Sequence, residues 1–381
     1  MSTGGGNWIV AIDAGGTSSK AILLSRSGEE LAFTTGDGFN LRNRSVDVLR
    51  QNVVSMINTL FADGQVMGRI PSAIAVGAAG AGRKQERRFI HDTIKAQYPT
   101  STILVHHDAF IAHYGAFGGG PGVVVTAGTG SIAFGKNSSG VEARSGGWGW
   151  MLGDEGSGWW IGREAIRAAM SEWEGSGPAT EITSLIKEEF KVTTTYKIIP
   201  EIYAGDFKRE RISKLSERVF DLAKSGDEVS LEIMVRAGRE LGLLAVRTAR
   251  SLKLEPHDFY VALLGSVATN GGEYIEIGVK EYLKNYTIDK PFKIPERTLY
   301  DPDQLSLIDD KTEGKEDPDE EIEENDNAIE YNQVKNRIPV FPPTDLRIDH
   351  GKGPGIIKPM ENALWGAARW AIEEMNKKMF I

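Results

Sequence analysis

The apolar positions of this chain fall into short unbroken runs alternating with stretches of helical period. Trp8–Ile12 is continuous and partly β-branched, which predicts a buried strand. Ala21–Leu24, Glu30–Thr34, Ser72–Val76 and Ile103–Val105 predict four more. Between them Val46, Leu49, Val53, Ile57 and Leu60 share one helical face, so Ser45–Phe61 is expected as an amphipathic helix with Ser45 as its N-cap. Gln85–Gln97 reads as a second helix. The order β-β-β-α-β-α-β predicts a mixed sheet flanked by helices.

The pattern then starts again. Val123–Thr126, a turn over Ala127–Ser131 and Ile132–Phe134 repeat the strand–turn–strand of the N-terminus, and Ala127-Gly-Thr-Gly-Ser131 matches Ala14-Gly-Gly-Thr-Ser18. Two such hairpins imply a duplicated architecture with halves facing each other across a cleft. Ile161–Ser171 and Ser230–Leu252 predict helices, the second stopped by Pro256, and 180–224 is helical with polar faces. Phe259–Leu264 predicts a strand running into a Gly/Ser turn and a helix over Glu273–Lys284, a setting suited to a nucleotide. Glu361–Met375 is a last amphipathic helix, expected to pack back across the junction.

Composition narrows the class. The 381 residues suffice for two domains, and 40% hydrophobic with 25% charged residues is ordinary for a globular chain. A net charge of −9 argues against nucleic acid or an anionic membrane as partner. No apolar run has membrane length and the start is polar, so a cytoplasmic location is expected. There is no cysteine, which removes thiolate zinc sites and Cys-ligated iron–sulfur clusters, and with them electron-transferring activator ATPases. From Asp309 to Asp326 eleven acids meet two lysines, so 305–337 is expected as a flexible insertion without a core.

The candidate chemistry centres on Ile103–Gly135. Its first strand delivers the carboxylate of Asp108, Gly118–Gly122 supplies a hinge, and the turn at 127–131 offers amides and hydroxyls for a phosphate. Gly146–Trp160 follows, with many glycines, four tryptophans and the acids Asp154 and Glu155. Most of the tryptophans are expected in the core. His106 and His107 are read as scaffold, and Glu155 as a structural acid before the next helix.

Taken together, Asp13–Thr17, Gly128–Ser131, Leu264–Thr269 and Asp108 resemble the actin, hexokinase and Hsp70 superfamily of sugar kinases and ATPases. Gly146-Gly-Trp-Gly with Leu152-Gly-Asp-Glu-Gly-Ser157 is similar to the N-acetylglucosamine and glucosamine kinases, in the BadF/BadG/BcrA/BcrD ATPase-type branch. The resemblance implies an α/β fold of two ribonuclease-H-like (actin-like ATPase) domains, with mixed sheets flanked by helices and an interdomain cleft. It places one domain over 1–118, joined by the C-terminal helix 360–381, and the other over 119–359. It implies an ATP-dependent kinase acting on the 6-hydroxyl of N-acetylglucosamine, with glucosamine, or an ATPase without a sugar, as alternatives. Asp108 would be the base. Asn40, Gly146, Gly147 and Asp154 would contact the amino sugar, and Gly16, Thr17, Thr129, Gly130, Ala223, Gly265, Ser266 and Asn270 the ATP. Asp13 would hold Mg²⁺ through water. A homodimer is the family expectation.

Overall fold

The computed structural model describes residues 8–15, 18–39, 45–66, 69–203, 209–256, 259–284, 286, 355–357, 359 and 362–377. The acidic stretch and Gly16, Thr17 and Asn40 lie outside them.

The first sheet is built from β1 (Trp8–Ala14), β2 (Ser18–Ser25), β3 (Glu30–Asp37), β4 (Ala73–Ala78) and β5 (Thr102–His107), with α1 (Val46–Asp63) and α2 (Lys84–Gln97) between them. Ser45 caps α1, its side chain accepting from the Val48 amide. The chain continues through α3 (Asp108–Phe117) into β6 (Gly122–Ala127), β7 (Ser131–Lys136) and β8 (Glu142–Gly146). The helices α4 (Gly158–Trp173), α5 (Ile182–Phe190), α6 (Ile198–Ile202), α7 (Arg209–Lys224) and α8 (Glu228–Ser251) follow. Then come β9 (Tyr260–Leu264), α9 (Ser266–Lys284), β10 (Gly355–Ile357) and α10 (Ala363–Lys377).

The sheet orders are β3-β2-β1-β4-β5 and β10-β9-β6-β7-β8. Each contains an antiparallel three-strand meander whose first strand pairs in parallel with the fourth, and the fourth with the fifth. The duplication suggested by the two short turn motifs thus extends over both sheets. Strands β1 and β4 are buried on both faces, which explains their unbroken apolar runs. Val10, Ile12, Ile74 and Val76 face α1 and α2, while Ile9, Ala11, Ala73 and Ala75 face α3 and α10.

Helix α3 joins the halves. It packs on β6 and β7 as well as on β4 and β5, and Ala109 through Ala116 are all buried. Helix α10 packs on α3 and on β1, β2 and β4, so the first sheet's inner face is covered by the last helix of the chain. The two helices approach closely at Gly366, where a Cβ would stand 2.4 Å from the Gly115 amide nitrogen. Gly118 ends α3 in the left-handed region (φ 57°), its amide donating to the Tyr114 carbonyl at 2.8 Å.

Five elements depart from the expectations. α3, β8 and β10 were not signalled by periodicity. Helix α9 begins at Ser266 rather than Glu273, interrupted at Gly272 (φ 44°, ψ −125°), so Ser266 and Asn270 are helical rather than in a loop. Helix α8 ends at Ser251 before Pro256, where Lys253 turns left-handed (φ 53°).

Candidate active site

Parallel strands present their C-terminal ends on one edge, and in open α/β sheets that is where ligands collect. In the first sheet this edge carries Asp13 at the end of β1, Gly77 of β4 in register beside it, then His106 of β5. Asp108 follows as the first residue of α3, and its Oδ1 accepts from the Ala109 amide at 2.9 Å. His107 caps the same helix, with Nδ1 accepting from the Phe110 amide at 3.1 Å. Gly77 leaves room for Ile111, whose Cδ1 would lie 2.2 Å from a Cβ there. A side chain at 77 would displace the Ile111 side chain, which fills the space between β4 and α3.

Burial raises the Asp108 carboxyl above the usual aspartate range. Asp13 is pushed up to about 6, first by burial and then by the Asp108 charge, with Lys20 opposing. Lys20 is the cross-strand partner of Asp13 in the β1–β2 hairpin. Burial holds His106 down at about 2 and His107 at about 4, so both are neutral near pH 7. The site therefore holds two coupled carboxylates with imidazoles that supply no charge. Such a pair is eased by a cation or by a proton.

The stability consequence has a definite sign. The raised folded value of Asp13 means that its favourable contribution is complete below the ordinary 3.8 and is lost as pH rises through about 6. At pH 8 the ionised group opposes folding by on the order of 3 kcal/mol. Asp13→Asn should accordingly raise the thermal midpoint of the nucleotide-free protein at pH 8, with the gain shrinking at pH 5. A wild type as stable as the variant at pH 8 would refute this account.

The second sheet repeats the edge. The β6–β7 turn is closed by the Gly128 amide donating to the Gly130 carbonyl at 2.9 Å. The start of α4 donates to this turn from outside: the Gly158 amide reaches the Gly128 carbonyl at 2.8 Å and Trp159 that of Thr129 at 3.4 Å. With its carbonyls so engaged, the turn keeps the Thr129 and Gly130 amides for a ligand. Gly265 ends β9 with φ 94°, and a Cβ there would stand 2.3 Å from the Ala127 carbonyl oxygen. Only glycine allows the two strand ends this approach. Ser266 opens α9 beside the turn, its Oγ 3.8 Å from a Cβ at Gly128. A small, partly open pocket lies beyond, lined by Ser216, Glu217, Phe220, Ser266 and Asn270 among others. Ala223 is buried in α7 and is not part of that lining.

The glycine-rich segment packs under the same turn. Asp154 is 4% exposed and left-handed (φ 63°), and its Oδ1 accepts from the Ser131 amide at 3.3 Å. Its carboxyl is raised by burial. Ser131 is a hub: its carbonyl accepts from the Gly147 amide at 3.0 Å, and its Oγ donates to the Glu155 carbonyl at 2.7 Å. Gly146 and Gly147 both have positive φ (74° and 71°), which lets the chain leave β8 against β7. Ser157 caps α4, accepting from the Trp160 amide. Trp159 and Trp160 are buried, whereas Trp148 and Trp150 are exposed at 61% and 38%, so only two of this segment's four tryptophans are core.

Asp13 and Asp108 are thus brought together, and Thr129, Gly130, Gly265 and Ser266 form a second group with Asn270 in the adjoining pocket. Gly146, Gly147 and Asp154 gather at the start of β7, where Asp154 Oδ2 stands 2.8 Å from a Cβ position at Gly130. Lys20, Arg144 and Arg209, whose charge acts on Asp154, were not singled out from sequence, and Ser131 was read only as part of the phosphate-type turn. Only Lys20 had a readable signal, its position opposite Asp13 in a predicted hairpin. Among the described residues no three His, Cys, Asp or Glu side chains converge as a metal cage. One carboxylate beside phosphate-type turns suits a hydrated Mg²⁺ shared with phosphate oxygens. No helix of the described residues is long and apolar enough to cross a membrane.

Comparison with known proteins agrees with this geometry. An N-acetylmuramic acid/N-acetylglucosamine kinase from Clostridium acetobutylicum is 30% identical over 69% of this chain and 86% of its own. An N-acetyl-D-glucosamine kinase from Dictyostelium discoideum is 28% identical over 73% and 90%, and the glucosamine kinase GspK of Vibrio cholerae 25% over the same shares. A solved structure from Chromobacterium violaceum, described as a candidate N-acetylglucosamine kinase, shares the fold with a TM-score of 0.61 at 23% identity, covering 73% of this chain and 94% of that one. The family profile matches residues 10–297, and the chain belongs to the BadF/BadG/BcrA/BcrD ATPase family.

Proposed function

We propose that the chain is an ATP-dependent amino-sugar kinase that phosphorylates the 6-hydroxyl of N-acetylglucosamine. The observation that carries this reading is Asp108. It is a desolvated carboxylate fixed at a helix start, beside Asp13 at the edge of one sheet, and it belongs to a fold whose second sheet carries a turn with two amides to spare. The relatives' names support an amino sugar as acceptor.

Phosphoryl transfer asks the protein mainly for positioning and charge neutralisation. In this reading Asp108 accepts the hydroxyl proton, and burial strengthens it as a base relative to an ordinary aspartate. Asn40, Gly146, Gly147 and Asp154 orient the sugar. Gly16, Thr17, Thr129 and Gly130 hold phosphates, and Gly265, Ser266 and Asn270 the adenosine side. Asp13 would hold Mg²⁺ through water, and the bound cation would neutralise phosphate charge. Closure of 119–359 on 1–118 and the C-terminal helix, about Gly118–Gly122, would exclude water from the bound ATP.

The test is ADP release measured over N-acetylglucosamine, glucosamine, N-acetylmannosamine and glucose, with the phosphorylated position read by NMR. The highest kcat/KM is expected with N-acetylglucosamine and phosphate on O6. A preference for glucosamine would select the second reading. ADP release indifferent to every sugar would leave an ATPase without a sugar acceptor.

A further inference from the structure

Strand β5 ends at His107 and helix α3 begins at Asp108, so strand passes into helix with no loop between them. His107 lies in register with Ala78, the last residue of β4. Two contacts then fix its ring. Nδ1 accepts from the Phe110 amide at 3.1 Å, and the ring meets Phe134 of β7 edge-on, with centroids 4.8 Å apart and planes at 78°. The ring contact holds the imidazole in the orientation in which it caps the helix. Asp108 is the next residue, so whatever fixes this first turn also fixes the proposed base.

Helix starts are ordinarily capped by Ser, Thr, Asp or Asn. Aspartate at 107 would set a third carboxylate beside Asp13 and Asp108, whose charges already oppose each other. Serine would leave open the space that the ring fills against Phe134. Histidine caps through Nδ1 only while that atom carries no proton. Burial first, then the charges of Arg87 on α2 and Arg144 on β8, hold the ring down at about 4. The imidazole is thus a cap without charge. The amide it serves belongs to the buried Phe110, where water is a poor substitute for a lost acceptor. The only other acceptor side chain in the first turn is the Asp108 carboxylate, which already accepts from the Ala109 amide at 2.9 Å. Without His107 two amides would compete for the carboxylate that the proposed reaction needs.

We propose that His107 is a positioning residue for Asp108: an uncharged cap that fixes the first turn of α3 and keeps the carboxylate free for the acceptor hydroxyl. The proposal rests on the reading of Asp108 as the base, and a double-mutant cycle separates the two. His107→Phe keeps a ring against Phe134 and removes the acceptor. His107→Asn keeps an uncharged acceptor and removes the ring, and His107→Asp caps with charge. Each is made in the wild type, and His107→Phe also in Asp108→Asn. ADP release is measured with the sugar that the wild type turns over fastest, below the melting midpoint of every variant. His107→Phe should melt a few degrees lower. Its kcat should fall roughly 10- to 100-fold with KM for sugar and ATP little changed, since a misplaced base loses turnover rather than binding. His107→Asn should recover most of that loss. His107→Asp should keep its plateau kcat while the acid limb of its pH profile moves upward, because a like charge favours the protonated Asp108. In Asp108→Asn, adding His107→Phe should cost almost nothing more, because no base remains to be misplaced. An equal loss in both backgrounds would make His107 scaffold and overturn the proposal. So would asparagine no better than phenylalanine in kcat, or an acid limb unmoved in His107→Asp. An impaired Asp108→Asn beside an unimpaired His107→Phe removes the proposal alone. Wild-type turnover in Asp108→Asn, or no turnover with any sugar, removes the underlying reading and the proposal with it.

Discussion

Replacing Asp108 by asparagine should lower turnover roughly a hundred- to ten-thousand-fold, the range that a positioned general base contributes. Nucleotide should still bind, because the carboxylate belongs to the acceptor side of the proposed reaction. The substitution is close to isosteric, and an asparagine Oδ1 can still accept from the Ala109 amide, so α3 keeps its start. The pH profile gives a second readout. A base works deprotonated, and burial raises this carboxyl, so the acid limb of wild-type kcat/KM should stand above the ordinary aspartate value and fall as pH drops through it. In Asp108→Asn that limb should vanish. Asp13 should meanwhile ionise more readily, since the Asp108 charge is one of the two causes holding it up. A variant with wild-type turnover on every sugar would remove Asp108 from the chemistry.

Gly366→Ala should be the most damaging methyl group that can be added near the site without touching it. The new Cβ would overlap the Ile111 carbonyl oxygen and stand 3.0 Å from the Gly115 Cα, all backbone atoms of α3 that cannot step aside. Overpacking of this kind costs roughly 1–3 kcal/mol, and more when backbone must move. The relief available is for α3 to shift, and its first residue is Asp108. A lower thermal midpoint together with reduced kcat in the remaining folded protein is therefore expected. Unfolding followed by circular dichroism and turnover at a temperature where the variant is folded would check both. Wild-type stability would show that the two helices have slack that the geometry denies.

The strands of the sheet centres were readable because burial on both faces leaves an uninterrupted apolar signature at Trp8–Ile12 and Ser72–Val76. The same physics hid α3. Ala109–Ala116 is surrounded by two sheets and α10, so it is apolar all round and carries no 3.6-residue stripe. Strand β8 was hidden for the opposite reason: Glu142, Arg144 and their neighbours lie on a sheet edge, and its polar side chains read as loop. Strand β10 is three residues long and leans on β9 for its existence. At the site, Asp13 and Asp108 were legible as acids at strand ends, and the 127–131 turn as a glycine motif. Arg144, whose charge bears on His107, was not, because nothing local marks a guanidinium whose neighbours are Gly82 and Trp148.

The covering of the first sheet by α10 has a consequence for how the chain comes into being on the ribosome. Ile9, Ala11, Ala73 and Ala75 share a core with Leu364, Ala367, Ala368 and Ala371. At about 5–20 residues per second, the interval between the emergence of β4 and that of α10 is roughly 15–60 s. Through that time one face of a finished sheet waits as bare hydrocarbon, its nearest tenant being α3. The last helix thus acts as a closing signature: an unfinished or C-terminally nicked chain should keep its sheets but show a sticky face, which marks it for chaperones or proteases before it can handle ATP.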